Sequence, residues 1–308
     1  MRKKHRSTWK LVLLVLWPMF LFGMGLVCCK SPEGFNEGKI RSDFAFVKEE
    51  KASEPSEGDL QNITGILSQE FQYLGSGAQC YAFISSDNEY VIKFFKMRHL
   101  TPKYWLSYIP IPWLEKYRFE KIDHRERKRQ ETFDSFKIAF EELKEQTGLV
   151  YIHLQKTRFY PGRITVVDKT GKKHIFSLKG VPFILQKKAT MIYSHITELM
   201  NKGDTAGSLD ALSSVLYLVK QRCEKGFADR DGGVSANYGF IDGHPVHIDI
   251  GRIVRDESIK DPSNYLMEVI RVSKKIDFWL QRAYPQLCPL FQEEVQKIVS
   301  GTDEVASF

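Results

Sequence analysis

The chain has 308 residues, 43% of them hydrophobic and 13% aromatic, with 21 glycines and 12 prolines, a composition that excludes disordered and collagen-like chains and allows one or two domains with a core. Its net charge of +7 is concentrated at the start: residues 1–30 hold Arg2, Lys3, Lys4, Arg6, Lys10 and Lys30 and no acid, leaving 39 Lys+Arg against 38 Asp+Glu in the remainder. A nucleic-acid-binding module would carry its excess cations in the folded part, so no nucleic-acid partner is expected.

Leu11 to Cys29 is an uncharged run of nineteen residues, and at the helical rise it covers about 28 Å, close to the hydrocarbon thickness of a bilayer. It reads as one transmembrane helix that makes the membrane a partner through residues 11–29, with Pro18, Gly23 and Gly25 tolerable inside it. The rival is a cleaved secretory signal, but no A-x-A-like site follows Cys29. Cys28 and Cys29 beside Lys30 are unmodified helix-end residues or S-acylation sites. Five Lys/Arg precede the run, against Lys30, Lys39 and Arg41 after it; that bias leans toward a cytoplasmic N-terminus with the bulk outside. Residues 31–65, rich in Ser, Pro, Glu, Gly and Lys, read as a flexible linker. They include the sequon Asn62-Ile63-Thr64, uninformative without a secretory context. The five cysteines show no metal-ligand spacing, so neither a disulfide scaffold nor a zinc module is expected.

From Phe71, two apolar stretches flank a polar turn at Ser85 to Glu89, the pattern of a hairpin. Gly75-Ser76-Gly77 opens the first; glycines there let backbone N–H groups approach a phosphate with no Cβ in the way. The place of a third glycine in GxGxxG is taken by Cys80. The second stretch ends in Tyr90-Val91-Ile92-Lys93. A lysine among apolar strand residues needs an anion if buried, or else sits at an edge with its ammonium in water. Residues 98–119 read as a packed aromatic cluster. A long helix follows: Phe133, Phe136, Phe140 and Leu143 recur at helical spacing, Lys121 to Arg129 form a solvated charged face, and Gly148 stops it. Strands are predicted at Leu149 to Leu154 and Val181 to Leu185, with a hairpin around Asp168 to Gly171 between them, then an amphipathic helix through Leu209, Leu212, Leu216 and Val219.

The most informative stretch is GFADRDGGVSANYGFIDGHPVHIDIGR. A turn at Asp242-Gly243 closes a hairpin between Tyr238 to Ile241 and His244 to Ile248, and pairing about it sets Asn237 opposite Ile248, beside Asp249. An amide and a carboxylate meeting in this way suit Mg²⁺, which uses one or two protein groups and fills its shell with water and phosphate oxygens. Taken singly, these residues are ordinary turn formers.

In order, these pieces resemble the protein-kinase-like superfamily, as a compact, atypical member with an N-terminal anchor. Gly75-x-Gly77 is similar to the glycine-rich loop, Tyr90-Val91-Ile92-Lys93 to V-A-I-K, Asp229-Arg230-Asp231 to H-R-D and Asp249-Ile250-Gly251 to D-F-G. The resemblance covers about residues 70 to 255. It implies an α+β fold of two lobes: an antiparallel five-stranded N-lobe over 66–190 and a reduced helical C-lobe over 191–308. ATP and Mg²⁺ would lie between them, with Gly75, Ser76, Gly77, Ala82, Val91, Lys93, Leu185 and Gln186 around the nucleotide. By the same resemblance Lys93 holds phosphates, Asp231 accepts the proton of an unknown phosphoryl acceptor, and Asn237 and Asp249 carry the metal. Glu131 pairs with Lys93, in competition with Glu141 and Glu142.

The departures are Asp229 in place of the histidine, one extra residue between Asp231 and Asn237, and no A-P-E among the 59 residues after Asp249. Helices are expected at Asn264 to Ala283 and Leu290 to Val299. The leading expectation is a membrane-anchored ATP-dependent phosphotransferase. A pseudokinase that binds nucleotide as a regulatory or scaffolding module is the alternative, and a tethered structural or adhesion domain the third. The side of the membrane stays open, because an external domain would lack ATP.

Overall fold

The computed structural model describes residues 34–42, 56–102, 104, 108, 115–155 and 162–301. The run Leu11 to Cys29 lies outside them, as do Trp105 and Trp113 of the aromatic cluster. Among the described residues no helix is long and apolar enough to cross a membrane. Two units are distinguished, and Glu37–Phe308 contains every element discussed below.

Helix α1, Glu57–Leu67, falls largely within the segment read as a linker. Ser56 caps it by accepting from Asp59 N at 3.2 Å, and Ile63, Ile66 and Leu67 bury one face. With only four apolar positions, Leu60, Ile63, Ile66 and Leu67, among polar ones, the pattern is too sparse to separate from a linker by composition. Asn62 of the sequon is on this helix's exposed side.

Strands β1 (Glu70–Ser76), β2 (Cys80–Ser85) and β3 (Tyr90–Phe95) form an antiparallel meander. After the short helix α2 (Met97–Leu100) comes α3 (Glu115–Glu142), and then the single turn α4 (Lys144–Thr147). Gly148 ends it with φ +63°, where a Cβ would stand 2.6 Å from Ile241 Cδ1. Strands β4 (Leu149–His153), β5 (Arg163–Val167), β6 (Lys173–Ser177) and β7 (Phe183–Lys187) complete a sheet of order β4-β7-β3-β2-β1-β5-β6.

The expected sheet of five antiparallel strands is therefore corrected to seven. The hairpin β5–β6, inserted between β4 and β7, docks on the outer edge of β1, and β1 pairs with β5 in parallel. That edge would otherwise present unpaired N–H and C=O groups, and the added hairpin also buries Ile164, Val166 and Phe176. Tyr108, Tyr117 and Phe119 are more than half exposed, so these members of the aromatic stretch are not packed as expected.

The second half begins with β8 (Thr190–Met191), α5 (Ile192–Asn201) and α6 (Thr205–Glu224). Then come β9 (Phe227–Asp229), the hairpin β10 (Tyr238–Ile241) and β11 (His244–His247), and β12 (Ile253–Arg255), which pairs with β9. Helices α7 (Pro262–Ala283) and α8 (Cys288–Ser300) close the chain's helical half, with Asp261 capping α7. One apolar core lies among α5 to α8 and takes in Tyr238 and Phe240. A second joins α3 to the sheet and also holds Phe227, Ile250 and Ile253. It therefore fixes the segment around Asp249 to both α3 and β3. Phe95 is at its centre, with ring centroids 5.4 Å and 5.1 Å from Phe133 and Phe136. Phe95→Ala should lower the unfolding free energy by about 3–5 kcal/mol in urea titration; a loss below about 1 kcal/mol would contradict this packing.

Candidate active site

Three sheet pairings align the first part of the site. Gly75 faces Ala82, Ala82 faces Lys93, and Lys93 faces Ile184, forming one row across four strands. Val91 faces Gln186 two positions along the same strands, so its side chain shares the face of Lys93. Leu185 alternates to the opposite face, where it is fully buried. Its side chain is thereby removed from the expected nucleotide set, and only its backbone could take part. Gly75 and Gly77 stand in open space, with nothing within 4 Å of where a Cβ would be, and neither has a positive φ. Local packing therefore places no demand for glycine at either position. Lys96 Nζ donates to Gly77 O at 2.5 Å and lies 4.7 Å from the Tyr81 ring centroid.

The second part arrives from the hairpin. Tyr238 pairs with His247, Ile241 with His244, and Ile248 N donates to Asn237 O at 2.6 Å, so Asn237 and Asp249 emerge side by side as the turn predicts. Asp242 and Gly243 have φ of +51° and +80°, both positive as that two-residue turn requires. The two parts meet at one carbonyl. Lys93 Nζ donates to Ile248 O at 3.0 Å and Gln186 Nε2 reaches the same oxygen at 3.4 Å. Burial pushes the Lys93 ammonium below the usual lysine range, opposed by the charge of Asp249 and by Cys80. Cys80 is itself pushed up to about 12, chiefly by burial, so its thiol is poorly reactive.

The expected Lys93–Glu131 ion pair is not formed. Glu131 is exposed and lines a cavity of about 410 Å³ with Gln79, Arg127, Lys128, Arg230 and Arg252. One turn further along α3, Ser135 takes the central position instead: its hydroxyl donates to Ile250 O and accepts from Ile253 N at 2.7 Å. A lone serine in a helix has no sequence signature, and neither has a carbonyl that two distant side chains share. Glu141 and Glu142 are exposed too, and Glu142 pairs with Arg255 at 2.9 Å.

Around Asp229-Arg230-Asp231 the two carboxylates separate by environment. Asp229 is buried, 3.5 Å from His247 Nε2 and 3.9 Å from Arg222 Nη1, and accepts from Asp231 N at 2.8 Å. Asp231 is partly exposed and accepts from Gly233 N at 2.9 Å. A Cβ on Gly233 would stand 2.9 Å from Asn237 Oδ1, so the glycine lets the loop fold against Asn237. Asn237 is 3% exposed, and its amide nitrogen has no hydrogen-bond partner among the described residues. Asp249 is exposed, and Gly251 N lies 3.5 Å from its Oδ1. A neutral amide oxygen and an open carboxylate at adjoining positions are hard donors that fit a Mg²⁺ ion sharing its shell with water and phosphate.

Burial raises Asp229 from 3.8 to about 6, against the lowering effect of Arg222. The folded state then binds this proton more tightly than the unfolded chain, so the contribution of Asp229 to stability declines as pH rises through that interval. Burial drives His247 well below 6.5, which gives the opposite slope: its contribution is lost as pH falls below the unfolded value. In Asp229→Asn, urea unfolding should show the wild-type-minus-variant difference falling by up to about 3 kcal/mol between pH 4 and 6.5. A difference that does not change with pH would refute the assignment.

No family model and no curated protein matches this sequence. Among solved structures, the ROP18 kinase domain in complex with AMP-PNP and sucrose is similar at 17% identity over 59% of this chain and 51% of that one, with a TM-score of 0.32. The bifunctional kinase-methyltransferase WbdD is similar at 14% identity over 73% of this chain and 47% of that one, also with a TM-score of 0.32. A second WbdD structure gives 13%, 75% and 50%, with a TM-score of 0.35. This chain spans about half the length of the structures it matches.

Proposed function

We propose that the protein is an atypical kinase, an ATP-dependent phosphotransferase held at a membrane by residues 11–29. The observation that carries the reading is the junction at Ile248. A lysine from β3 reaches the carbonyl next to Asp249 across 155 residues of sequence, with Asn237 beside it and Asp231 on the adjoining loop. Phosphoryl transfer asks a protein mainly for alignment and charge neutralisation, and one ammonium, two metal-binding oxygens and one proton acceptor supply them.

Lys93 exchanges its bond to Ile248 O for phosphate oxygens, and Gln186 keeps that carbonyl partnered while it does so. The open stretch Gly75-Ser76-Gly77 offers backbone N–H groups to the donor nucleotide, and Ala82 and Val91 give it an apolar surface. Asp231 orients the acceptor hydroxyl and takes its proton. Asn237 and Asp249 would hold Mg²⁺, whose charge supports the phosphate oxygens. Full-length protein should bind Mg-ATP and transfer labelled γ-phosphate to an acceptor or to itself, and Lys93→Met should weaken nucleotide binding at least about tenfold, the loss of one charge-assisted contact of about 1.5–3 kcal/mol. Unchanged binding in that variant would end the reading.

The pseudokinase alternative draws on one specific feature: Lys93 is engaged by a backbone carbonyl and has no carboxylate of α3 as its partner. Saturable Mg-ATP binding with no transfer to any acceptor, in a preparation whose thermal midpoint rises on binding, would select it.

A further inference from the structure

Outside the cleft, a groove of about 880 Å³ runs against α7, and seven of its ten lining residues are apolar or cationic. Ile259, Met267, Ile270 and Phe278 are apolar, while Arg271, Lys274 and Lys275 are cationic. Met267 and Phe278 are 64% and 56% exposed, an apolar surface with no cover in the described residues. Glu268 is the acid of the lining and is held by Arg271 at 2.6 Å, so Lys274 and Lys275 set the sign of the local field. Positions 267, 271, 274, 275 and 278 fall on one helical face. That face also touches the loop carrying Asp231. Arg271 Nη2 donates to Asp229 O at 3.2 Å, and Lys275 Nζ donates to Gly232 O. A Cβ on Gly232 would stand 2.9 Å from both cationic side chains.

We propose that this groove is the acceptor subsite and that its occupant is an anionic membrane lipid whose headgroup carries a free hydroxyl. The proposal rests on the phosphotransferase reading and adds the acceptor's chemistry to it. Charge complementarity selects the headgroup: Lys274 and Lys275 pair with its phosphate. Apolar surface selects a lipid over a soluble anion, because methylenes next to the headgroup cover Met267, Ile270 and Phe278, which a sugar phosphate would leave wet. Contact between α7 and Gly232 brings the headgroup hydroxyl toward Asp231. In the reaction the bond from the γ-phosphorus of ATP to its bridging oxygen breaks, and a bond from that phosphorus to the lipid oxygen forms. ADP leaves with the electron pair of the broken bond, and the hydroxyl proton passes to Asp231.

The test uses the full chain in phosphatidylcholine nanodiscs, without nucleotide, and a phosphatidylglycerol probe carrying a photoactivatable group next to its headgroup. Cross-links should map between Met267 and Phe278 and should be displaced by phosphatidylglycerol but not by added phosphatidylcholine. Lys274→Glu should reduce labelling by at least about fivefold, the equivalent of one surface cation. Met267→Glu, at an exposed position, should reduce it independently. Labelling elsewhere, equal displacement by phosphatidylcholine, wild-type labelling of both variants, or better displacement by a soluble acidic peptide would each overturn the proposal. Absence of labelling in a preparation that binds Mg-ATP ends the lipid subsite alone. Normal labelling in a preparation that does not bind Mg-ATP ends the phosphotransferase reading and the acceptor role with it.

Discussion

Asp231→Asn should lower phosphoryl transfer roughly 10²–10⁴-fold while leaving Mg-ATP affinity within about twofold, because on the proposed reading Asp231 is a general base that serves the hydroxyl and not the nucleotide. The asparagine keeps an oxygen able to accept from Gly233 N, as Asp231 Oδ1 does at 2.9 Å, so the loop stays in place and only proton acceptance is lost. Single-turnover transfer together with equilibrium nucleotide binding separates the two effects. Asp229→Asn is the companion variant. Asp229 is buried in a network with Arg222 and His247, so its substitution should act on stability more than on the chemical step. If Asp229→Asn abolished transfer in a folded protein and Asp231→Asn did not, the two roles would have to be exchanged.

Arg222→Leu should lower the unfolding free energy by about 3–5 kcal/mol. Arg222 is 3% exposed and engages several buried partners. Its Nε donates to Phe227 O at 3.2 Å, its Nη1 donates to Tyr238 OH at 3.1 Å, and Nη1 is 3.9 Å from Asp229 Oδ2. Leucine fills part of the space but leaves a buried carboxylate without its counter-charge, and that desolvation exceeds the apolar gain. In the double variant with Asp229→Asn part of the loss should return, since both members of the charged pair are then absent. Urea midpoints at fixed m-value report the difference. A single-variant loss below about 1 kcal/mol would show that the network carries no such charge pairing.

Much of the site was legible because its parts are set by local rules. The turn at Asp242-Gly243 could only close a two-residue hairpin, and the hairpin's period then placed Asn237 beside Ile248 without any further information. Lys93 was legible as an anomaly, a charge among apolar strand residues. Leu185 was placed by the resemblance alone: it lies within β7, paired with Ile92, so its side chain alternates to the face opposite Lys93. Glu131 was misplaced because α3 offers acids on several faces, and the roll of a helix about its own axis is decided by what packs on it. Phe133 and Phe136 lock against Phe95, which turns Ser135 toward the Asp249 segment and Glu131 toward solvent.

Sequence alone determined the hairpin of β2 and β3, the long helix though not its end at Glu142, the hairpin that leads to Asn237 and Asp249, and the identity of the charged residues, since each follows from periodicity or turn chemistry within a short window. Only the tertiary structure decided that a distant hairpin extends the sheet past β1, that Lys93 and Gln186 share the carbonyl of Ile248, and that α7 lays its cations on the loop of Asp231. These are contacts between segments far apart in the chain. They form because burying the two apolar cores fixes how the elements dock, and no local pattern encodes the outcome of that docking.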